Sequence, residues 1–325
     1  MRKHGNVYKC ILAGLLAMAL TACGGTTNGN TVGGDITTPT TKPSDPANGP
    51  ETVSPRKAVV LSTDTNGSEI YEEAGVSLDL SAKDEGFLKV SYSGEAKKVR
   101  LLLTQPSGVV YNYLLPVDGE MVVYPFSEGT GEYSVGVYEN VYDDQYAMIY
   151  EKNCAVTMKD DYSMFLYPNA YVDFDATSKT VGKGEEVAAG CDKDLEVVEA
   201  VYTYVTTTIS YDYDKAETVA TGYLPVVDQT LAEGKGICFD FASLMAAMLR
   251  SQQIPTKLVI GYCDDQYHAW ISVYTKEEGW IDNIIVFDGV SWTLMDPTLV
   301  SYAKPSTIEE YMKKTDAHYF VKYVY

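Results

Sequence analysis

Residues that build metal and redox centres are scarce in this chain. Its 325 residues include three histidines and six cysteines, and no two cysteines stand at the short spacing of a zinc knuckle or a redox dithiol. A structural metal site gathers such ligands in close pairs, so neither a metal nor a cofactor is expected, and no loop has an EF-hand pattern. Basic residues are few as well: 25 lysines and arginines stand against 45 aspartates and glutamates, a net charge of −20. That balance excludes nucleic acid and an anionic bilayer surface as direct partners. The apolar run at residues 10–20 is too short to cross a membrane by itself.

What surrounds that run gives it another meaning. Arg2, Lys3 and Lys9 precede it, and Leu20-Thr21-Ala22-Cys23-Gly24 follows it. A basic start, a short apolar core and small residues before a cysteine resemble a bacterial lipoprotein signal. The resemblance implies that residues 1–22 are removed and Cys23 is lipidated. The mature protein is then exported and anchored to the outer face of the bacterial cell membrane through that lipid only. Residues 23–57 are threonine, glycine, asparagine, proline, serine and aspartate with almost no large apolar side chains. They cannot bury enough surface to offset their ordering entropy and are expected as a disordered tether. Export permits disulfides, and Cys154 with Cys191 is an open pairing, but four scattered cysteines are not a disulfide framework.

Residues 58–160 read as β throughout. Short β-branched or aromatic stretches at 87–92, 99–104, 109–115, 121–124 and 133–138 alternate with Ser93-Gly94, Pro106-Ser107-Gly108, Asp118-Gly119 and Gly129-Thr130-Gly131. This spacing predicts an all-β immunoglobulin-like sandwich. Tyrosine is dense here, including Tyr111, Tyr113, Tyr124, Tyr133, Tyr138, Tyr142, Tyr146 and Tyr150. These are ordinary strand formers, with a sugar-stacking face as the alternative.

Residues 161–325 form the second domain. Strands are expected at 164–167 and 171–174, then a helix over Leu195 to Ile209 capped by Asp192 or Asp194. Tyr211 and Tyr213 open a long irregular stretch reaching Leu231.

The chemistry gathers after Gly234-Lys235-Gly236-Ile237-Cys238. Two glycines permit a tight turn. Ile237, Phe241, Leu244, Met245, Met248 and Leu249 then mark one face of a helix. Cys238 falls in its first turn, where free amides and the positive dipole end favour a thiolate. Asp240 in the same turn reads as a dipole-compensating charge. Downstream, 268–274 alternates as a strand that puts His268, Trp270, Ser272 and Tyr274 on one face. The stretch 291–298 ends at Asp296-Pro297, because proline cannot extend a ladder. As antiparallel neighbours, these strands bring His268 beside Asp296, in a register that sets Tyr274 opposite Val290. The three residues supply a nucleophile, a general base and an orienting carboxylate. The backbone amide of Cys238 is an oxyanion donor, with Tyr211 or Tyr213 as candidate second donors, and Trp270 and Trp292 are candidates for a substrate groove.

From about Asp194 onward the sequence resembles the transglutaminase-like superfamily, whose fold is related to papain-like cysteine peptidases. The matching features are Lys235-Gly236-Ile237-Cys238 with Phe241-Ala242, the connection from Leu249-Arg250 to Ile254-Pro255, Gly261-Tyr262, His268-Ala269-Trp270 and Asp296-Pro297-Thr298. Gln253 stands where glycine is usual, Lys257 where arginine is common, and 276–289 looks like an insertion near the thiol. The resemblance implies an α+β protein with a papain-like transglutaminase core behind the sandwich, and assigns Cys238, His268 and Asp296 as its triad. It further implies a surface enzyme that hydrolyses or transamidates amides of a protein or peptide substrate, cell-wall peptide included. The alternative is a binding or assembly module without turnover, using the groove and the tyrosine-rich β-domain.

Overall fold

The computed structural model describes residues 56–263, 266–287, 292–294 and 319–325. Cys23, the leader and almost all of the expected tether lie outside these residues, as does Asp296.

Alternation of apolar and polar side chains builds the first half. Its strands are β1 (Ile70–Glu73), β2 (Val76–Asp79), β3 (Phe87–Tyr92), β4 (Val99–Thr104), β5 (Val110–Leu115), β6 (Val122–Pro125), β7 (Gly131–Tyr142) and β8 (Gln145–Val156). Two antiparallel sheets, ordered β1-β2-β3-β6 and β5-β4-β7-β8, face each other. Leu78, Leu88, Val90, Leu101, Leu103, Val135 and Val137 are fully buried between them. At the start of β7 the Tyr133 hydroxyl donates to the Gly129 carbonyl at 2.8 Å, the tyrosine corner of immunoglobulin-like sandwiches. The sequence pattern locates β3 to β7 but not β1, β2 or β8.

Two expected strands are absent. Residues 163–166 form a 3₁₀ turn, and 171–174 contribute only an isolated bridge between Asn169 and Val172. Local side chains compete with any ladder there. The Asp160 carboxylate accepts the amides of Tyr162 and Ser163, at 3.1 and 2.7 Å, and Asn169 Oδ1 accepts those of Tyr171 and Val172.

The second half then turns helical: α1 (Lys179–Ala188), α2 (Asp194–Thr208), the short strand β9 (Ser210–Tyr211), α3 (Tyr213–Thr218), α4 (Val227–Glu233), β10 (Lys235–Gly236) and α5 (Cys238–Ser251). Gly182 and Gly184 weaken the local signal for α1. Its first amides are instead accepted by Asp228, 48 residues away, with the Thr180 N–H at 2.9 Å. The cap of α2 is Lys193 rather than an aspartate, and Glu196 accepts the Asp192 amide at 2.8 Å. The stretch read as irregular holds α3, capped by Asp212 accepting the Lys215 amide at 3.0 Å, and α4.

Helix α5 is central. Every residue from Asp240 to Ser251 is buried, so the apolar face seen in the sequence understates its enclosure. Its helical side packs on α1, α2 and α4, and its other side on a five-stranded antiparallel sheet. That sheet contains β11 (Thr256–Cys263), β12 (Gln266–Thr275), β13 (Gly279–Phe287), β14 (Trp292–Leu294) and β15 (Tyr319–Val324), in the order β14-β13-β12-β11-β15. The insertion-like stretch therefore makes a strand of its own. Because β13 stands between β12 and β14, Tyr274 pairs with Trp280, and the expected direct pairing of the two site strands does not form. Gln253 adopts φ +62°, the left-handed conformation that makes glycine usual at that point.

Tyrosines close the seam between the halves, which form one compact unit. The Tyr111 hydroxyl accepts the Val324 amide at 2.9 Å. Tyr171 stacks on Tyr325 at 3.8 Å, and Tyr113 lies 4.5 Å from Tyr124. Tyr111, Tyr113, Tyr124, Tyr133 and Tyr150 are all buried, so they make no exposed stacking face.

Candidate active site

The approach to Cys238 is dictated residue by residue. Gly234, at φ +64°, closes α4 in the left-handed conformation. Lys235 and Gly236 pair in parallel with Ser210 and Tyr211, and Ile237 caps α5 in extended geometry. Asp240 Oδ2 accepts the Ile237 amide at 2.8 Å. A Cβ on residue 236 would lie 2.6 Å from the Asp240 Cβ, which requires glycine there.

Asp240 does more than offset the helix dipole. It is fully buried, it receives the Lys215 ammonium at 2.7 Å, and the Tyr223 hydroxyl donates to its other oxygen. Lys215 and Tyr223 both belong to the stretch between β9 and α4, so this carboxylate fastens that stretch over the start of α5. Burial works against the Lys215 ammonium, but its bonds to Asp240 and Tyr223 raise it overall.

Cys238 is the first residue of α5, a free cysteine whose thiol receives the Ala269 amide of β12. His268, the next residue back on β12, is 8 % exposed. Its Nε2 is buried with no hydrogen-bond partner among the described residues. Burial pushes the Cys238 thiol up, against the backbone amides of Ala269 and Phe239 that pull it down. Burial likewise pushes His268 down to about 4. Desolvation thus outweighs the helix dipole, worth about 0.3–1 kcal/mol, and at neutral pH the resting pair is thiol and neutral imidazole.

The remaining sequence candidates fall at different distances from the thiol. The Tyr211 hydroxyl accepts the Cys238 backbone amide, and burial followed by the charge of Cys238 pushes its phenol up to about 12. Tyr213 is 61 % exposed, with its ring 5.0 Å from that of Tyr211. Trp270 is buried against Tyr319 at 5.3 Å and is core rather than groove wall. Trp292 begins β14, opposite Phe287 and two strands from His268.

A cavity of about 620 Å³ opens on Cys238, His268 and Tyr211. The sandwich contributes Tyr113 and Leu114 of β5, Tyr124 of β6 and Arg100 of β4 to its lining. The sequence reading missed this contribution, and the tyrosine density of residues 111–124 was its only local sign. Lys215 and Tyr223 were missed too, because their role depends on Asp240 being buried.

Comparison places the second half among known proteins. Residues 182–283 match the transglutaminase-like superfamily, a span that runs from within α1 into β13 and ends before Asp296. The uncharacterised Bacillus subtilis protein YebA is 31% identical over 110 residues, or 28% of this chain and 15% of YebA. The chain therefore spans a small part of that relative. Among solved structures, a candidate cysteine protease from Cytophaga hutchinsonii has a TM-score of 0.34 and 15% identity over 66% of this chain and 68% of that one. A candidate protease from Parabacteroides distasonis has a TM-score of 0.27 and 10% identity over 64% and 63% of the two chains. The similarity to the transglutaminase-like superfamily thus lies in residues 182–283, which carry Cys238 at a helix start and His268 on a strand that packs against that helix.

Proposed function

We propose that the protein is an exported, lipid-anchored cysteine acyl-transfer enzyme acting on amides of proteins or cell-wall peptides. The observation that carries this reading is a free thiol at a helix start, held against the strand of a buried histidine whose Nε2 has no partner among the described residues, with both residues lining one open cavity. Cys238 Sγ attacks the amide carbonyl while His268 takes the thiol proton, then returns it to the departing amine. A thioester remains, and water, the default acceptor, attacks it with His268 again as base. The proton then returns to the Cys238 sulfur. The neutral resting pair suits this sequence, since the proton moves as the new bond forms. The Cys238 amide is the oxyanion donor once the carbonyl oxygen displaces the Tyr211 hydroxyl, which can itself donate to that oxygen. Asp296 orients the imidazole. Cys23 carries the lipid after removal of residues 1–22.

Incubation of the mature chain with amide substrates, with and without a primary amine, tests the reading by mass spectrometry. Acyl-enzyme on Cys238 and ammonia or amine release are expected, both lost in Cys238→Ala. Ligand binding that survives Cys238→Ala, with no turnover by the wild type, supports a binding module instead. The already partnered Cys238 amide favours that second reading.

A further inference from the structure

Of the arginines among the described residues, Arg56 pairs with Asp194 at 2.8 Å, and Arg250 is enclosed by backbone carbonyls. Arg100 differs. It lines the cavity, half-buried, its Nη1 donates to Asn112 Oδ1 at 3.2 Å, and its guanidinium carbon lies 5.6 Å from the centre of the Tyr146 ring. No carboxylate pairs with it among the described residues, in a chain with 45 acidic side chains. The described lining of the cavity contains no aspartate, glutamate or lysine. A guanidinium retains donors that a neutral amide and a ring do not saturate, and its fork matches a carboxylate.

We infer that Arg100, which lines the same cavity as the thiol, is a specificity-determining residue that selects amide substrates bearing a carboxylate away from the scissile bond. The inference rests on the acyl-transfer reading and names its substrate class. The net charge of −20 repels an anionic substrate at long range, but salt screens that repulsion beyond about 8 Å. Inside the cavity the unpaired cation decides. The sandwich is then part of the enzyme rather than a separate module, because it supplies the selecting charge.

The test uses acetyl-tetra-alanyl chloromethyl ketones in which one position at a time is Glu or Gln, with Cys238 alkylation rates measured by mass spectrometry on the mature chain. At one position Glu should react about tenfold faster than Gln. That ratio should fall toward one in Arg100→Gln, invert in Arg100→Glu, and shrink in wild type between about 0.05 and 0.5 M salt. The salt series stands even if a variant does not fold. Ratios near one at every position, with Cys238 still alkylated, overturn the inference and leave the acyl-transfer reading intact. A strong Glu preference unchanged in folded Arg100→Gln overturns the assignment to Arg100. A Cys238 that no probe alkylates in the native chain, but every probe alkylates after unfolding, overturns both.

Discussion

Lys215 Nζ and Asp240 Oδ2 stand 2.7 Å apart, and this ion pair ties α3 to the first turn of the helix that carries Cys238. The carboxylate is fully buried and the lysine side chain 28 % exposed. Removing the cation leaves a charge that water cannot reach.

Lys215→Met should therefore cost about 3 kcal/mol in urea unfolding, and Lys215→Met with Asp240→Asn should recover part of that loss. The single variant should also speed iodoacetamide labelling of Cys238, since it frees the stretch over the thiol. Unchanged stability and labelling would show that the clasp has no mechanical role.

Gly236→Ala sets a methyl group 2.6 Å from the Asp240 Cβ and should displace the start of α5. A loss of about 2 kcal/mol is expected, together with altered Cys238 labelling. Gly182→Ala is the contrast: it meets open space on α1 and should stabilise by about 0.5–1 kcal/mol. Chemical denaturation of both variants separates steric crowding from glycine loss in general.

Arg250 is fully buried, and burial pulls its guanidinium down to about 9. Its fork joins Tyr167, Thr256 and Tyr325 through their carbonyls at 2.7 to 3.0 Å. An ammonium cannot reproduce that planar set of donors, so Arg250→Lys should lose about 2–4 kcal/mol. A melting temperature equal to wild type would count against this clamp.

The folded His268 titrates at about 4 against 6.5 for a free imidazole. Between those values the unfolded chain binds a proton that the folded chain refuses. This contribution to stability is complete above about pH 6.5 and is lost as pH falls through about 4, a difference of about 3 kcal/mol. His268→Gln should flatten that stretch of the urea midpoint against pH. In the wild-type chain Cys238 should alkylate with a midpoint above the ~8.5 of a free thiol, because burial raises it. Rapid labelling at acidic pH would instead reveal a thiolate–imidazolium pair.

The elements legible in the sequence were those with strong local patterns. β-Branched and aromatic runs between turn signals marked β4 and β5, and apolar residues at helical spacing marked α5 and α2. Helix α1 left little, since two glycines dilute its propensity and Asp228 caps it from far along the chain. Residues 164–167 and 171–174 are apolar enough for strands, yet side-chain caps from Asp160 and Asn169 wind them into turns.

Within the site, local sequence alone determined the start of α5: two glycines, an extended cap and a cysteine at the first helical residue follow from short-range sterics and hydrogen bonding. It equally determined that His268 begins an alternating strand segment. Tertiary structure decided the protonation of both, because desolvation depends on what covers a group rather than on its neighbours in sequence. It also decided that β13 separates β12 from β14, that Asp240 clasps Lys215, and that Arg100 of the sandwich lines the same cavity as the thiol. Those are contacts between distant segments, and strand order and cavity walls leave no periodic trace in the residues that form them.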